Sequence, residues 1–123
     1  MKQLFIIIFA ISMFVSAIIA GDKSSYKGYL VDHQCGVTMS KHPEKAYKMG
    51  KKHTRACGLD ETCSLHGYGI ITGEGKYIKF DDKGDKKAHA FLEKTKKKNN
   101  ILVEIRGELN DNILTVKEIK DAE

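Results

Sequence analysis

The chain has 123 residues, the usual size of one domain, and is long enough to bury only a modest hydrophobic core. Its formal net charge of +5 comes from lysines scattered along the chain, with clusters at Lys51–Lys52 and Lys94–Lys98. This distribution is typical of solvated faces. Together with the export signal described next, it argues against nucleic acid as a partner.

Residues 1–20 have the layout of a secretory signal peptide. Lys2 gives a short positive start, and an apolar run then extends to Ala20, which is the predicted cleavage position. The alternative is an uncleaved membrane anchor, since about 17 residues is the short limit for a spanning helix. We therefore expect a periplasmic or secreted protein that has no membrane contact after cleavage.

A flexible leader is predicted at residues 21–25, and a strand follows it. Residues 26–32 are rich in aromatic and β-branched side chains, which predicts the first strand. In the long segment after it, Pro43 suits a first helical turn, and residues then recur at three- and four-residue steps. This pattern predicts one helix from about Pro43 to Ala56, with Gly58 as its stop.

A hairpin and a second helix are predicted next. Residues 68–72 and 76–80 are two strand-like runs separated by a glycine turn. Asp85 can then cap a helix that runs to about Lys97. The inward stripe of this helix is predicted to contain Ala88, Phe91, Leu92 and Thr95.

The C-terminal third predicts two more strands. Residues 101–109 alternate between apolar and polar side chains, as half-buried strands do. Residues 113–119 form the last predicted strand, with Leu114 and Val116 facing inward. Ile119 falls on the opposite parity, which predicts a bulge or a strand end between them.

The order of elements predicts a mainly β fold. A strand is followed by a long insert, two strands, a helix and two strands, which matches an OB-fold-like five-stranded barrel. The helix would lie between strands 3 and 4, and a helical cysteine- and histidine-rich insert between strands 1 and 2. Residues 26–123 would form this single domain. A plain α+β sheet with a covering helix is the alternative.

Short motifs along the mature chain carry a family resemblance. They are Gly28-Tyr29-Leu30-Val31-Asp32, Cys35-Gly36, Cys57, Cys63, Gly67-Tyr68-Gly69, Val103-x-Ile105-x-Gly107 and Thr115-Val116-x-x-Ile119. The chain resembles small exported bacterial proteins, largely uncharacterised, that have a D-x-x-C-G element and two later cysteines. The resemblance implies an exported small β-barrel domain with no assigned reaction.

The segment from Asp32 to His66 holds every cysteine of the chain, and its first interpretation is a disulfide. Antiparallel pairing of the first two strands would bring Cys35 and Cys63 together at one end of the sheet. Their disulfide would stabilise the fold by about 3–4 kcal/mol. Cys57 would then be the odd thiol, free or joining two chains. The other two pairings stay open, because sequence does not fix connectivity.

A metal site is the second interpretation. His53 and Cys57 are four residues apart and would share a helix face, and Cys63 and His66 are three apart. The candidate ligands are therefore Cys35, His53, Cys57, Cys63 and His66. Thiolates with imidazole suit zinc, and soft sulfur ligands also suit Cu(I), to which Met39 and Met49 could add thioethers.

Catalysis is the third interpretation, in which His53 activates the thiol of Cys57. The sequence identifies no third residue to orient His53, and no C-x-x-C motif for disulfide exchange. We therefore expect a non-enzymatic exported domain whose insert binds zinc or copper or is closed by a disulfide. The alternative is a ligand- or protein-binding module that uses the barrel face, with purely structural cysteines.

Overall fold

The computed structural model describes residues 24–123, and the predicted signal segment at residues 1–20 lies outside them. The described elements, in chain order, are β1 (Ser24–Asp32), α1 (His33–Ser40), α2 (Pro43–Lys52), α3 (Arg55–Leu59), α4 (Glu61–Ser64), β2 (Tyr68–Thr72), β3 (Tyr77–Phe80), α5 (Asp82–Lys94), β4 (Leu102–Asn110) and β5 (Ile113–Asp121). Within residues 24–123, no helix is long and apolar enough to cross a membrane.

The five strands form one mixed sheet in the order β1-β2-β3-β5-β4. Because β1 also pairs with β4, the sheet closes on itself. All neighbouring pairs are antiparallel except β3 and β5, which run parallel. The predicted β-rich class is confirmed. β1 begins earlier than predicted, since Ser24 and Ser25 of the expected leader already pair with β4.

The predicted irregularity in the last strand is present. The register of β4 against β5 shifts between Arg106 and Gly107, so that Lys117 opposes no residue of β4. Because of this extra residue, the side chain of Ile119 lies on the same side of β5 as that of Val116, three residues earlier. Both side chains therefore pack against the same core.

The main core lies inside the closed sheet and beneath α5. Its largest fully buried side chains are Leu30, Tyr68, Ile70, Phe80, Leu92, Ile101, Ile105, Leu114 and Val103. Each large aliphatic or aromatic side chain that is fully buried contributes about 1.5–3 kcal/mol. On α5, Ala88 and Leu92 are buried and Phe91 packs against this core, as predicted, whereas Thr95 is the residue that ends the helix.

A second, smaller core packs the insert against the outside of the sheet, and we call it the outer core. Val31 of β1 and Ile71 of β2 pack there with Met39 of α1 and Ala46 of α2. Leu30 and Ile70, which precede them in the two strands, face the main core instead. Because both faces of β1 and β2 are covered, these strands have continuous apolar runs instead of alternation.

The insert has four helices where one was predicted from Pro43 to Ala56. His53 and Thr54 have extended backbones between α2 and α3, and Thr54 is the N-cap of α3. The hydroxyl of Thr54 accepts the N–H of Cys57 at 3.0 Å. The prediction of one continuous helix was therefore wrong. α2 ends at Lys52, and a new helix, α3, begins at Arg55 with Thr54 as its cap.

The boundaries of α5 also differ from those predicted. The helix begins at Asp82 with Asp81 as its N-cap, and it ends at Lys94 instead of Lys97. Asp85, the predicted cap, lies inside the first turn and accepts the N–H of Tyr68 at 2.9 Å. Its carboxylate thus fastens α5 to the start of β2.

Candidate metal centre

Asp32, the last residue of β1, connects two parts of the insert. As the N-cap of α1, it accepts the N–H of Cys35 at 3.0 Å, and it pairs with Nε2 of His53 at 2.8 Å. The side chain is 0% exposed. Burial by itself raises the pKa of Asp32, but the hydrogen bonds from His53 and Cys35 outweigh it and leave the pKa lowered. The carboxylate is therefore ionised at neutral pH and only accepts hydrogen bonds.

His53 is held with one ring nitrogen satisfied and the other unsatisfied. Because Asp32 only accepts, Nε2 of His53 must donate, and in the neutral ring Nδ1 then carries a lone pair. Nδ1 is buried and has no hydrogen-bond partner among residues 24–123. Leaving such an atom unpaired costs about 1–3 kcal/mol. A buried, unpaired ring nitrogen on a histidine whose other nitrogen is held by a carboxylate is typical of metal-binding histidines.

Two thiols lie beside this pair. Cys35 is in the first turn of α1, which Asp32 caps, and Cys57 is in the first turn of α3, which Thr54 caps. Asp32, Cys35, His53 and Cys57 each offer one ligand atom, and these four atoms all lie within 4.8 Å of one another. This group could hold a metal ion.

The third thiol, Cys63 of α4, lies next to Cys57 at the border of this group. Burial, the nearby charge of Asp32 and a hydrogen bond with Cys57 raise the pKa of Cys63 to about 11. Burial and hydrogen bonds with Asp32 and Cys57 raise the pKa of Cys35 as well. The protein by itself therefore keeps Cys35 and Cys63 protonated at neutral pH.

His66, the remaining predicted ligand, is exposed in the turn before β2 and is outside the group. Of the five predicted ligands, the structure thus brings Cys35, His53 and Cys57 together and places Cys63 beside them.

All three cysteines are free in the described chain, so the predicted Cys35–Cys63 disulfide is not formed. That prediction assumed that both cysteines extend the strand ends. Instead α1 begins immediately after Asp32, and its first turn directs Cys35 towards Cys57 on α3.

The sequence interpretation missed Asp32 as part of the site. One signal was available: aspartate is a preferred helix N-cap, and its carboxylate then accepts the N–H of a residue two or three positions later, here Cys35. Its second contact could not be read from the sequence, because His53 lies 21 residues away and meets it only after α2 has folded onto the outer core.

Comparison of the chain with protein-family models, with curated proteins and with solved structures finds no match.

Proposed function

We propose that this domain binds one metal ion through Cys35, Cys57 and Nδ1 of His53, with Cys63 as the fourth ligand. In this proposal Asp32 is not a ligand but orients the ring of His53 through Nε2. The observation that carries it is the buried, partnerless Nδ1, on a ring with a nitrogen within 4.8 Å of both thiols.

The ligand set suits a borderline or soft cation. Three thiolates and one imidazole in a tetrahedral arrangement are typical of structural Zn²⁺, and the same sulfur donors also suit Cu(I). Binding must displace the thiol protons, since Cys35 and Cys63 are neutral in the metal-free protein. Metal affinity should therefore rise with pH.

The metal would stabilise a part of the fold that is otherwise weakly held. α3 has five residues, of which only Gly58 is buried, and α4 has four residues and none buried. Helices this short are not stable by themselves. An ion bound to α1, α3 and α4 at once would link them to one another and to the end of β1.

We further infer that the closed sheet is an OB-like barrel in an exported, non-enzymatic protein. The strand order and the position of α5 between β3 and β4 support the barrel. The signal-peptide layout of residues 1–20 supports export. In an OB-fold the loop between the first two strands borders the ligand-binding face, and here that loop is the metal-binding insert.

The test is to purify the exported protein anaerobically, count its free thiols and measure bound zinc and copper. We expect about one equivalent of metal, three thiols that react only after chelation, and loss of the metal in Cys57→Ser and His53→Ala. A protein with one disulfide, one free thiol and no metal would refute the proposal. Non-reducing electrophoresis of the same sample would show whether Cys57 joins two chains.

One observation favours a second candidate, a thiol-dependent catalyst. Asp32 supplies the orienting group for His53 that the sequence lacked, so that Asp32, His53 and Cys57 resemble a nucleophilic triad in composition. A triad requires that Cys57 be a thiolate near neutral pH. Rapid alkylation of Cys57 below about pH 7 in the metal-free protein, slowed by Asp32→Asn, would support this candidate.

A further inference from the structure

The candidate metal centre has an opening on one side. A cavity of about 590 Å³ lies against α1 and α2 and is lined by His33, Gln34, Cys35, Val37, Thr38, Met39 and Met49. Cys35 belongs both to this lining and to the metal-binding group. The cavity therefore leads directly to one ligand of the centre.

Three sulfur-containing side chains line this cavity: Cys35, Met39 and Met49. Residues 24–123 contain two methionines, Met39 and Met49. Both line the same cavity as Cys35. Met39 is only 6% exposed and packs in the outer core, with Cys35 and Met49 partly buried against it. Two thioethers and a thiol thus face one solvent-connected space.

The lining offers little to hard cations. It contains no carboxylate, and its only side-chain oxygens are the neutral groups of Gln34 and Thr38. Thioethers are good ligands for Cu(I), whereas protein Zn²⁺ sites use thiolate, imidazole and carboxylate ligands, and Mg²⁺ and Ca²⁺ use oxygen.

We propose that this cavity is the route by which Cu(I) reaches the metal centre, with Met39 and Met49 as the first ligands and Cys35 as the acceptor. The inference rests on the proposed function and narrows the metal to copper. No redox step is involved: copper remains Cu(I) throughout. Its bonds to the two thioethers break as a bond to the sulfur of Cys35 forms, and the thiol proton of Cys35 passes to water.

If the methionines only fill space, replacing both with leucine should leave the rate of Cu(I) uptake unchanged. Leucine has nearly the volume of methionine and restores the apolar contacts, but it offers no sulfur. Met39→Leu/Met49→Leu therefore separates packing from metal binding. Val37→Leu is the matched control, because it alters the wall of the same cavity without changing a donor.

The experiment follows transfer of Cu(I) from its bicinchoninate complex to the full chain by anaerobic stopped-flow absorbance. Zn²⁺ affinity is measured in parallel by chelator competition. We expect the double leucine variant to take up Cu(I) at least about tenfold more slowly than the unsubstituted protein, with Zn²⁺ affinity unchanged within about twofold. Val37→Leu should match the unsubstituted protein in both measurements.

Unchanged Cu(I) uptake in the double leucine variant would overturn the inference, as would equal slowing by Val37→Leu. A protein that binds Zn²⁺ but no Cu(I) would overturn it too, while leaving the proposed metal centre intact. If the protein bound neither ion, the proposed function itself would fail. Met49→Leu alone, on the partly exposed side of the cavity, is the second variant should the double substitution impair folding; it should slow uptake by about threefold or more.

Discussion

At the scale of single residues, Asp32 connects the junction of β1 and α1 to His53, which lies 21 residues further along the chain. Asp32 ends β1, caps α1 and fixes the ring of His53 by one hydrogen bond of 2.8 Å. A carboxylate in this position fixes the tautomer of a metal-binding histidine and makes the ring a better donor. A substitution of Asp32 that keeps the cap of α1 but removes the charge should therefore affect metal binding without affecting α1.

The first prediction concerns Asp32→Asn. Asparagine caps helices as well as aspartate does, so α1 should remain intact. The charge opposite His53 is lost, and metal affinity should fall by about 10–100-fold, measured by competition with a chromophoric chelator. Asp60→Asn is the matched control, because Asp60 caps α4 through Thr62, whereas the hydrogen bond to His53 comes from Asp32. Equal affinity in both variants would contradict the orienting role.

The second prediction concerns the pH dependence of the metal-free protein. The pKa of Asp32 is lowered by folding, so its stabilising contribution is present above about pH 4 and is lost as the pH falls through the lower native value. The pKa of Cys63 is raised to about 11, so its contribution is present below about pH 9 and is lost as the pH rises to that value. Urea unfolding in the presence of chelator should therefore show a stability plateau between these limits. Stability that increased from pH 9 to 11 would show that the folded protein favours thiolates.

The residues of the site were largely accessible from the sequence, but their partners were not. Cysteine and histidine are conspicuous as ligands, and Cys35, His53 and Cys57 were identified from residue type and spacing. The choice between Cys57 and Cys63 as the neighbour of Cys35 depends on where short helices begin. That is decided by tertiary contacts and not by periodicity.

At the scale of elements, close packing of α1 against β3 positions Cys35. A Cβ placed on Gly36 would overlap the ring of Tyr77, and the hydroxyl of Tyr77 is in turn hydrogen-bonded to Nδ1 of His33 at 2.9 Å. Glycine at this position therefore lets the first turn of α1 lie directly on the sheet. This accounts for the glycine that follows the cysteine in the D-x-x-C-G element.

The third prediction is that Gly36→Ala destabilises the protein by about 1–3 kcal/mol in urea unfolding, through overpacking. Alanine's higher helix propensity, worth about 1 kcal/mol, acts in the opposite direction but should be outweighed. Metal affinity should fall in the same variant, because α1 carries Cys35. Gly73→Ala is the control: nothing lies within 4 Å of an added Cβ there, and its stability should be almost unchanged. Equal stability of the two variants would refute the packing argument.

The strands and α5 were predictable because each has an apolar pattern several residues long. In the insert, the start of α2 at Pro43 was predicted, but α1, α3 and α4 were not, and α3 and α4 are too short to show a period. Their starts are nevertheless marked by capping residues, Thr54 and Asp60, whose side chains accept from Cys57 and Thr62. Short-range capping chemistry is thus more informative in this segment than hydrophobic periodicity.

At the scale of the whole molecule, two separate hydrophobic cores stabilise different parts of the fold. The main core is enclosed by the sheet and α5 and does not include the residues of the candidate metal centre. The outer core secures α1 and α2 against β1 and β2, whereas α3 and α4 contribute only the partly buried Leu59 to either core. A metal ion should therefore matter most to α3 and α4.

The fourth prediction follows from this division and concerns removal of the metal. Chelation should lower the melting temperature, because an ion at 1,000 times its Kd stabilises the folded state by about 4 kcal/mol. Amide hydrogen exchange should increase first at residues 55–64, less in α1 and α2, and little in the five strands. Cys57→Ser should show the metal-free pattern with or without chelator, since it lacks a ligand. A uniform increase that included the strands would show that the ion supports the main core, and no change at residues 55–64 would show that α3 and α4 are held without it.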